Sequence, residues 1–457
     1  MYPRWVHDPK FEAIKLLLEP VIGLEVHVQL LTRTKMFCAC VSDSSGGEPN
    51  TRVCPVCLGL PGVLPVVNKR AVEFTVMTGL ALNSTIALDT KFDRKNYPYP
   101  DLMKGYQISQ FDIPIASGGW LDLDNGNRLG ITRVHMEEDT ARLIHRVDDA
   151  TGKGFSLVDV NRSGIPLMEI VGDPDISSAD DAREYLTKLR SIVQYLGVST
   201  GNMEEGSFRC DANISLSLDG KMSDQRVEVK NMNSFRAVHR ALEYEIERQT
   251  EVLEKGQRIV QETRGWIEDQ GITVSQRSKE EAHDYRYFPE PDLPPLVVDP
   301  NWVEDIRSKL PELPENRRKR FQVEYDLSEY DATQLVASKA SADFFEKSLS
   351  SHGNTGSIDP SIAKPTANWI NTDLAHHLND AGMNIENSPI SPASLSEMLA
   401  FIQDGTISTK MAKDLFEEMF QTEKDAKTII EERGLNQISD DSELAEFVRG
   451  VITENSK

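Results

Sequence analysis

Apolar and polar positions change period from segment to segment along this chain, and each period predicts an element. Residues 21–29 (VIGLEVHVQ) read as a strand: Val21, Ile22, Leu24, Val26 and Val28 are apolar and mostly β-branched. Glu25 and His27 stand two residues apart, so they leave the strand on one face while Val26 and Val28 leave it on the other. A carboxylate beside an imidazole on a rigid strand can hold a divalent metal or move a proton; on a solvated edge it does neither. Asn68 is placed to cap a helix in which Val72, Val76 and Leu80 recur at helical spacing, with Met77 beside them. Residues 90–115 have no helical period and contain closely spaced X-Pro steps. They predict extended or irregular chain rich in Tyr, Lys, Asn and Gln, which forms either binding loops or a strand pair at an edge.

Residues 120–159 predict antiparallel strands around the turn Asp124, Asn125, Gly126, Asn127. Within them, RVHMEEDTARLIH puts His135, Glu137 and Asp139 on one strand face and Glu138 on the other. Adjacent acids repel unless a cation or solvent accommodates them. Leu167, Met168, Ile170 and Val171 predict a buried strand with Glu169 among them, and an acid in an apolar run is unfavourable unless it is paired or liganded. Residues 177–197 predict a helix capped by Ser177 or Ser178, with an apolar stripe of Tyr185, Leu186, Leu189, Ile192, Val193 and Leu196, closed by Gly197. Two further strands carry Asp211 with Asn213, and Glu228 with Asn231 and Asn233, ahead of a helix over 235–254. Beyond about residue 300 the pattern turns to helices and polar loops. Arg317, Arg318, Lys319 and Arg320 form a basic cluster there, either a nucleic-acid patch or a solvated helix face. From residue 367 short capped helices repeat. A capping box at Ser394 and Glu397 precedes Met398, Phe401 and Ile402, and Gly405 stops that helix. Ser408 starts another with Ala412, Leu415, Phe416 and Met419 inward, and helices over 423–433 and 440–451 follow. A short leader with a helix over 11–18 precedes the first strand.

A length of 457 residues suggests about two to four domains, and 39% hydrophobic with 27% charged residues argues for packed cores over global disorder. A net charge of −23 argues against a generic nucleic-acid binder, so any RNA contact needs a local basic patch, shape or a partner. No apolar run reaches the roughly 18 residues of a membrane span, and no signal-peptide layout is present, which predicts a cytoplasmic protein. Cys38, Cys40, Cys54 and Cys57 cluster as C-x-C followed by CPVC, which in a reducing compartment predicts a structural zinc site; the distant Cys210 reads as a small buried hydrophobe. The polar residues inside strand-like segments are Glu25, His27, Glu137, Asp139, Glu169, Asp211 and Glu228. If their strands share a sheet, carboxylates with an imidazole suit Mg²⁺ and phosphate oxygens, hence nucleotide or phosphoryl chemistry. There is no Walker A motif and no G-x-G-x-x-G after a strand, and the loop at Gly220, Lys221, Met222 and Ser223 lacks a partner motif. No Ser–His–Asp or Cys–His arrangement stands out by spacing.

The segments IGLEVHVQL, C-x-C followed by CPVCLGLPGVLPVVN, FDRKNY, KGYQISQFD, HMEED, NRSGIPLMEIV, MEEGSFRCDANIS, VKNMNSFR, QETR and DYRYFPEPDLPPL occur in order. From residue 21 onward the chain resembles the B-subunit family of the heterotrimeric glutamyl/aspartyl-tRNA amidotransferases. The resemblance implies an α+β fold: a mainly antiparallel β cradle with flanking helices and a zinc knuckle, then an all-α helical and tail region. The implied domains are a leader (1–20), the cradle (21–300, knuckle 38–57), a helical domain (301–390) and a YqeY-like tail (391–457). The tail departs from the family by stopping early, at Asn455, Ser456 and Lys457, as a truncated chain would. Pro98 between Tyr97 and Tyr99, and Val171-Gly-Asp-Pro in place of Ser-Glu-Pro, are milder departures. The implied activity is conversion of Glu-tRNA(Gln) or Asp-tRNA(Asn) to Gln-tRNA(Gln) or Asn-tRNA(Asn). The side-chain carboxylate is phosphorylated with ATP and Mg²⁺, and ammonia from the A subunit then displaces phosphate. Partners implied are the A subunit, the small C subunit, the tRNA acceptor end and the non-discriminating aminoacyl-tRNA synthetase. Carried over by motif, Glu25, His27, Glu137, Glu138, Glu169, Asp211 and Glu228 form the catalytic site, with Glu25, His27, Glu138 and Glu169 as Mg²⁺ ligands. Asn213, Lys230 and Asn231 would bind the nucleotide, Lys95 would line the ammonia exit, and the four clustered cysteines would hold Zn²⁺. The rival readings are a non-catalytic tRNA-binding scaffold and a free-standing metal-dependent hydrolase.

Overall fold

A computed structural model describes residues 18–43, 46–218, 225–278, 285–351 and 360–434. The expected leader helix up to residue 17, the loop at Gly220 and the helix over 440–451 lie outside these residues. The chain divides into two compact units, Met1–Pro311 and Glu312–Lys457.

The first unit is built on a thirteen-stranded sheet. Its main path uses β1 (Leu18–Gln29), β2 (Asp93–Asn96), β3 (Tyr106–Ser109), β4 (Arg128–Glu138), β5 (Pro166–Gly172), β6 (Phe208–Leu218), β7 (Val227–Lys230), β8 (Glu262–Ile267), β9 (Ile272–Ser278) and β10 (Phe288–Pro289). The spatial order is β9-β8-β7-β6-β1-β5-β4-β3-β2-β10, and along it only β7 and β8 run parallel. Short strands at Thr85–Ile86, Ala116–Ser117 and Trp120–Asp122 extend the β4 side, and Arg142–Val147 with Gly154–Asp159 forms a separate hairpin. Within the segment 90–115, residues 93–96 and 106–109 pair with each other as β2 and β3 inside the sheet, between β10 and β4, and the chain between them is turn and irregular structure.

Strand β1 sits centrally and starts at Leu18, earlier than its alternation suggests. It pairs antiparallel with β6 from Leu18 to Val28 and with β5 from Glu25 to Gln29. Ile22, Leu24, Val26 and Val28 are wholly buried on one face. Helices α1 (Lys69–Ala81), α2 (Ala179–Tyr195) and α3 (Phe235–Glu254) cover the apolar side of the sheet. Phe208, in register with Val28, meets Phe235 at the start of α3 edge-to-face at 5.7 Å. Each helix begins where its sequence says: Asn68, Ser178 and Ser234 accept hydrogen bonds from first-turn amides of Arg70, Asp181 and Ala237. Glu245 of α3 is fully buried and receives Arg248 at 2.8 Å and Arg264 of β8 at 3.1 Å, with Thr273 of β9 also donating to it. This network fastens α3 to the β8–β9 edge. Helix α4 (Pro300–Ser308) still belongs to the first unit and packs against α1, with Lys69 Nζ 5.3 Å from the Trp302 ring centre. The division between units therefore falls past residue 300.

The second unit is helical in its described residues: α5 (Pro314–Glu324), α6 (Glu329–Leu335), α7 (Lys339–Ser350), α8 (Pro360–Trp369), α9 (Ala375–Ala381), α10 (Pro392–Gln403), α11 (Thr409–Thr422) and α12 (Ala426–Arg433). A π-helical turn, Ile370–Leu374, joins α8 to α9. Phe321, Phe345, Trp369, Leu395 and Phe416 lie in one continuous core. Helix α10 is capped by Ser391, not Ser394, because Pro392 suits the first helical position and starts the helix earlier. Glu423 ends α11 with φ 60°, and Asp425 caps α12, so the last helix begins later than residue 423. The basic cluster on α5 is committed locally. Arg317 pairs with Asp343 and Glu346, Arg318 with Glu315, and Arg320 with Glu312, Glu324 and Glu346. It is neither a free patch nor a merely solvated face. Among the described residues no helix is long and apolar enough to cross a membrane.

Because Glu245 is buried with two guanidinium partners, Glu245→Ala should cost about 3–5 kcal/mol in urea unfolding. Glu251→Ala, which removes an exposed partner of Lys255 on the same helix, should stay within about 0.5 kcal/mol.

Candidate active site

The polar face of the sheet is assembled by strand register. Arg209, His27, Glu169 and His135 form one row across β6, β1, β5 and β4. The next row holds Asp211, Glu25, Val171 and Arg133, and the row on the other side holds Gln29, Leu167 and Glu137. Glu169 is buried between two imidazoles: His27 Nε2 lies 3.4 Å and His135 Nε2 3.2 Å from Glu169 Oε2. His27 Nε2 is also 3.5 Å from Glu137 Oε1. One ligand atom each from His27, Glu137 and Glu169 lies within 4.8 Å of the others, so these three could hold a metal ion. Burial works against the His27 imidazolium, but Glu169 and Glu137 outweigh it and raise His27 to about 9. Burial likewise opposes ionisation of Glu169, yet His135 and His27 hold it well below the usual carboxylate range.

Beside this group lies a second set on β1, β6 and β7. Asn213 Nδ2 donates to Glu25 Oε1 at 2.8 Å, Lys230 pairs with Asp211 and, at 3.1 Å, with Glu228, and Thr263 donates to Glu228 at 2.8 Å. Burial, then the charge of Glu169 with those of Asp211 and Glu228, pushes the Glu25 carboxyl up against the opposing pull of His27. Carboxylates outnumber cations here, which is the electrostatic condition for taking up a further cation. Asn231 is exposed at the end of β7 with φ 65°, a turn position, and stands at the margin of the set.

Not every expected residue joins. Glu138 leaves β4 on the opposite face, where it pairs with Lys104 and accepts the Ile108 amide at 3.0 Å. Glu137 takes the place expected of Glu138 beside His27 and Glu169, since alternation sends neighbouring strand residues to opposite sides. Asp139 is buried against Arg209 at 3.1 Å and Arg162 at 3.7 Å and accepts from Gln29 at 2.8 Å; it braces strands. Lys95 lies 5.0 Å from the Tyr285 ring centre and 6.0 Å from that of Tyr97. Burial alone would lower its pKa, but the field of Glu137 leads several that raise it. Tyr287, stacked on Phe111 at 3.9 Å, completes the aromatic wall.

At a separate place in the same unit, Cys38, Cys40, Cys54 and Cys57 bring all four sulfurs within 4.8 Å of one another. Cys54 and Cys57 Sγ are 3.9 Å apart, and the Cys54 amide donates to Cys57 Sγ at 3.1 Å. A hydrogen bond from Cys38 is the main cause that lowers Cys57 to about 5, against burial. The four thiols could hold a metal ion. Cys210 is a buried hydrophobe near none of them.

Residues 20–304 match the GatB/GatE catalytic domain and residues 343–457 match the GatB domain. The chain is 55% identical over 445 residues to the B subunit of the aspartyl/glutamyl-tRNA(Asn/Gln) amidotransferase of Dehalococcoides mccartyi, covering 96% of this chain and 90% of that protein. The B subunits of the same amidotransferase from Carboxydothermus hydrogenoformans and Caldanaerobacter subterraneus are 53% and 52% identical over 443 residues, with the same coverage. The chain belongs to this B-subunit family. Its sequence motifs fall where the geometry is densest: IGLEVHVQL is β1, HMEED ends β4 and PLMEIV is β5.

Participants outside the expected site residues include His135, Arg209, Gln29, Thr263 and Arg133. His135 was visible beside Glu137 in the alternation but had no chemical role until Glu169 was found across from it. Arg209 and Gln29 reach the face only through register, and nothing in their local sequence marks them.

In metal-free protein the raised His27 contributes stability that is full below about pH 6.5 and is lost as pH rises through about 9. The urea midpoint should fall across that window, and His27→Gln should flatten the fall.

Proposed function

We propose that this B-subunit-family chain is the substrate-activating subunit of a tRNA-dependent amidotransferase. It binds the acceptor end of Glu-tRNA(Gln) or Asp-tRNA(Asn) and works with an ammonia-releasing A subunit and a small C subunit. A non-discriminating synthetase supplies the misacylated tRNA in the cytoplasm. In the reaction, a side-chain carboxylate oxygen attacks the γ-phosphorus of ATP and the bond to the ADP oxygen breaks. Ammonia nitrogen then attacks the acyl carbon, phosphate leaves, and the nitrogen loses its extra proton to solvent. The observation that carries this reading is the convergence of His27, Glu137 and Glu169 within 4.8 Å beside Glu25, Asp211 and Glu228. Hard oxygen donors with one imidazole suit Mg²⁺, which when bound neutralises charge on the phosphates.

The residues divide the work. Glu169, kept ionised by His27 and His135, and Glu137 present fixed negative charge to the cation. Lys230 and Asn213 orient the nucleotide and the Asp211–Glu228 edge. Lys95, cationic within its aromatic wall, lines the route by which neutral ammonia reaches the acyl carbon. The four cysteines hold Zn²⁺ as a structural knuckle: tetrahedral thiolates at about 2.3 Å from zinc place sulfurs about 3.8 Å apart, and the Cys54–Cys57 separation of 3.9 Å fits. The first unit, through Pro311, would carry the chemistry, and the helical second unit would carry the tRNA body.

Reconstitution with A and C subunits, ATP and misacylated tRNA tests the reading. The expected result is one ADP released per amide formed, with Glu169→Gln lowering kcat at least ~100-fold while tRNA binding persists. Wild-type amide formation by both Glu169→Gln and Asp211→Asn would overturn it. Elemental analysis of protein purified without chelator should find about one zinc per chain, lost together with thermal stability in Cys57→Ser.

A further inference from the structure

We infer that Arg133 is the phosphate-binding arginine of this face and takes an oxyanion of the nucleoside triphosphate. The inference rests on the reading of the face as a nucleotide site. Arg133 precedes His135 by two residues on β4 and stands opposite Val171, so it leaves the sheet on the side of Glu169. Strand rise puts it about 7 Å from His135, within the span of a guanidinium side chain.

What distinguishes Arg133 is what it lacks. Its Nε is buried and has no hydrogen-bond partner, and among the described residues no carboxylate lies within ion-pair distance of it. Arg209 Nε is likewise buried without a partner, but Arg209 and Arg162 both reach Asp139 through their guanidinium groups, and Arg133 has no such acid among the described residues. The next two residues on the same strand face repeat the signature. His135 and Glu137 are each 3% exposed, and His135 Nδ1 and Glu137 Oε2 are both buried without a partner. Three orphaned polar atoms at alternate positions of one strand face would each carry a desolvation cost with nothing in the fold to offset it. A ligand that brings an acceptor to Arg133 and a cation to Glu137 satisfies both ends. A metal-bound polyphosphate has that pattern, and the planar guanidinium fork matches phosphate oxygens in pairs.

The test is equilibrium binding of a non-hydrolysable ATP analogue with Mg²⁺ to the complex with A and C subunits, with binding of misacylated tRNA measured separately. Arg133→Ala should weaken the analogue at least tenfold, Arg133→Lys should recover part of the loss, and tRNA affinity should be unchanged. Arg128→Ala, on the same strand but exposed and paired with Asp122 at 2.7 Å, should bind as wild type. Since Arg133 has no polar partner to lose and methionine keeps the packing of its aliphatic stem, Arg133→Met should melt no lower than wild type. A drop in the melting temperature of Arg133→Met would assign the arginine a structural role and overturn the inference. So would wild-type analogue affinity in Arg133→Ala, or a loss confined to tRNA, which would give the arginine to an RNA phosphate. If the wild-type complex itself binds no analogue, the nucleotide reading falls and this inference with it; normal wild-type binding with no effect of Arg133→Ala sinks this inference alone.

Discussion

The structure turns on a carboxylate in the middle of a sheet. Glu169 lies in a strand whose neighbours are apolar and buried, and a lone ionised acid there would cost several kcal/mol. Two imidazoles, one from each adjoining strand, make it tenable. That requirement reaches back into the fold, because His27 and His135 meet Glu169 only if β1, β5 and β4 keep one register. A slip of one residue would send Val26 and Val28 to the polar side and the acids into the core, so burial and site geometry select the same pairing. The core face and the chemical face are two sides of a single alternation.

Charge distribution follows the same constraint. The chain is strongly acidic, yet its one dense basic cluster is engaged in intramolecular pairs in the second unit. On the polar face, Lys230 and Arg209 are each engaged by acids, while Lys95 and Arg133 have no carboxylate within ion-pair distance among the described residues. The first stands in an aromatic wall and the second beside orphaned polar atoms, so the uncommitted positive charge lies at the two sides of the candidate metal group. The cysteine cluster adjoins the reverse side of β4: Cys57, Lys104 and Glu138 line one small cavity. Glu138 thus joins the knuckle side of the strand while Glu137, its neighbour, joins the site.

Much was readable from local sequence because local physics decides it. Alternation in β1, the caps at Asn68, Ser178 and Ser234, the span of α3 and the clustering of four cysteines depend on neighbours within a few residues. Cap competition was harder: Ser391 and Ser394 are both good caps, and Pro392 decides between them. The strand pair in 90–115 looked irregular because its partners, β4 and β10, lie far away in the chain.

By itself, then, the sequence determined which residues share a strand face, where the helices covering the sheet begin, the presence of a thiol cluster and the family to which the chain belongs. Only tertiary structure decided which faces meet. It brought Glu137 rather than Glu138 to His27 and Glu169, turned Asp139 into a brace for Arg209, and left Arg133 without a partner. The physical reason is that period along a strand is a local property, whereas register between strands far apart in sequence is set by the burial of whole faces against one another.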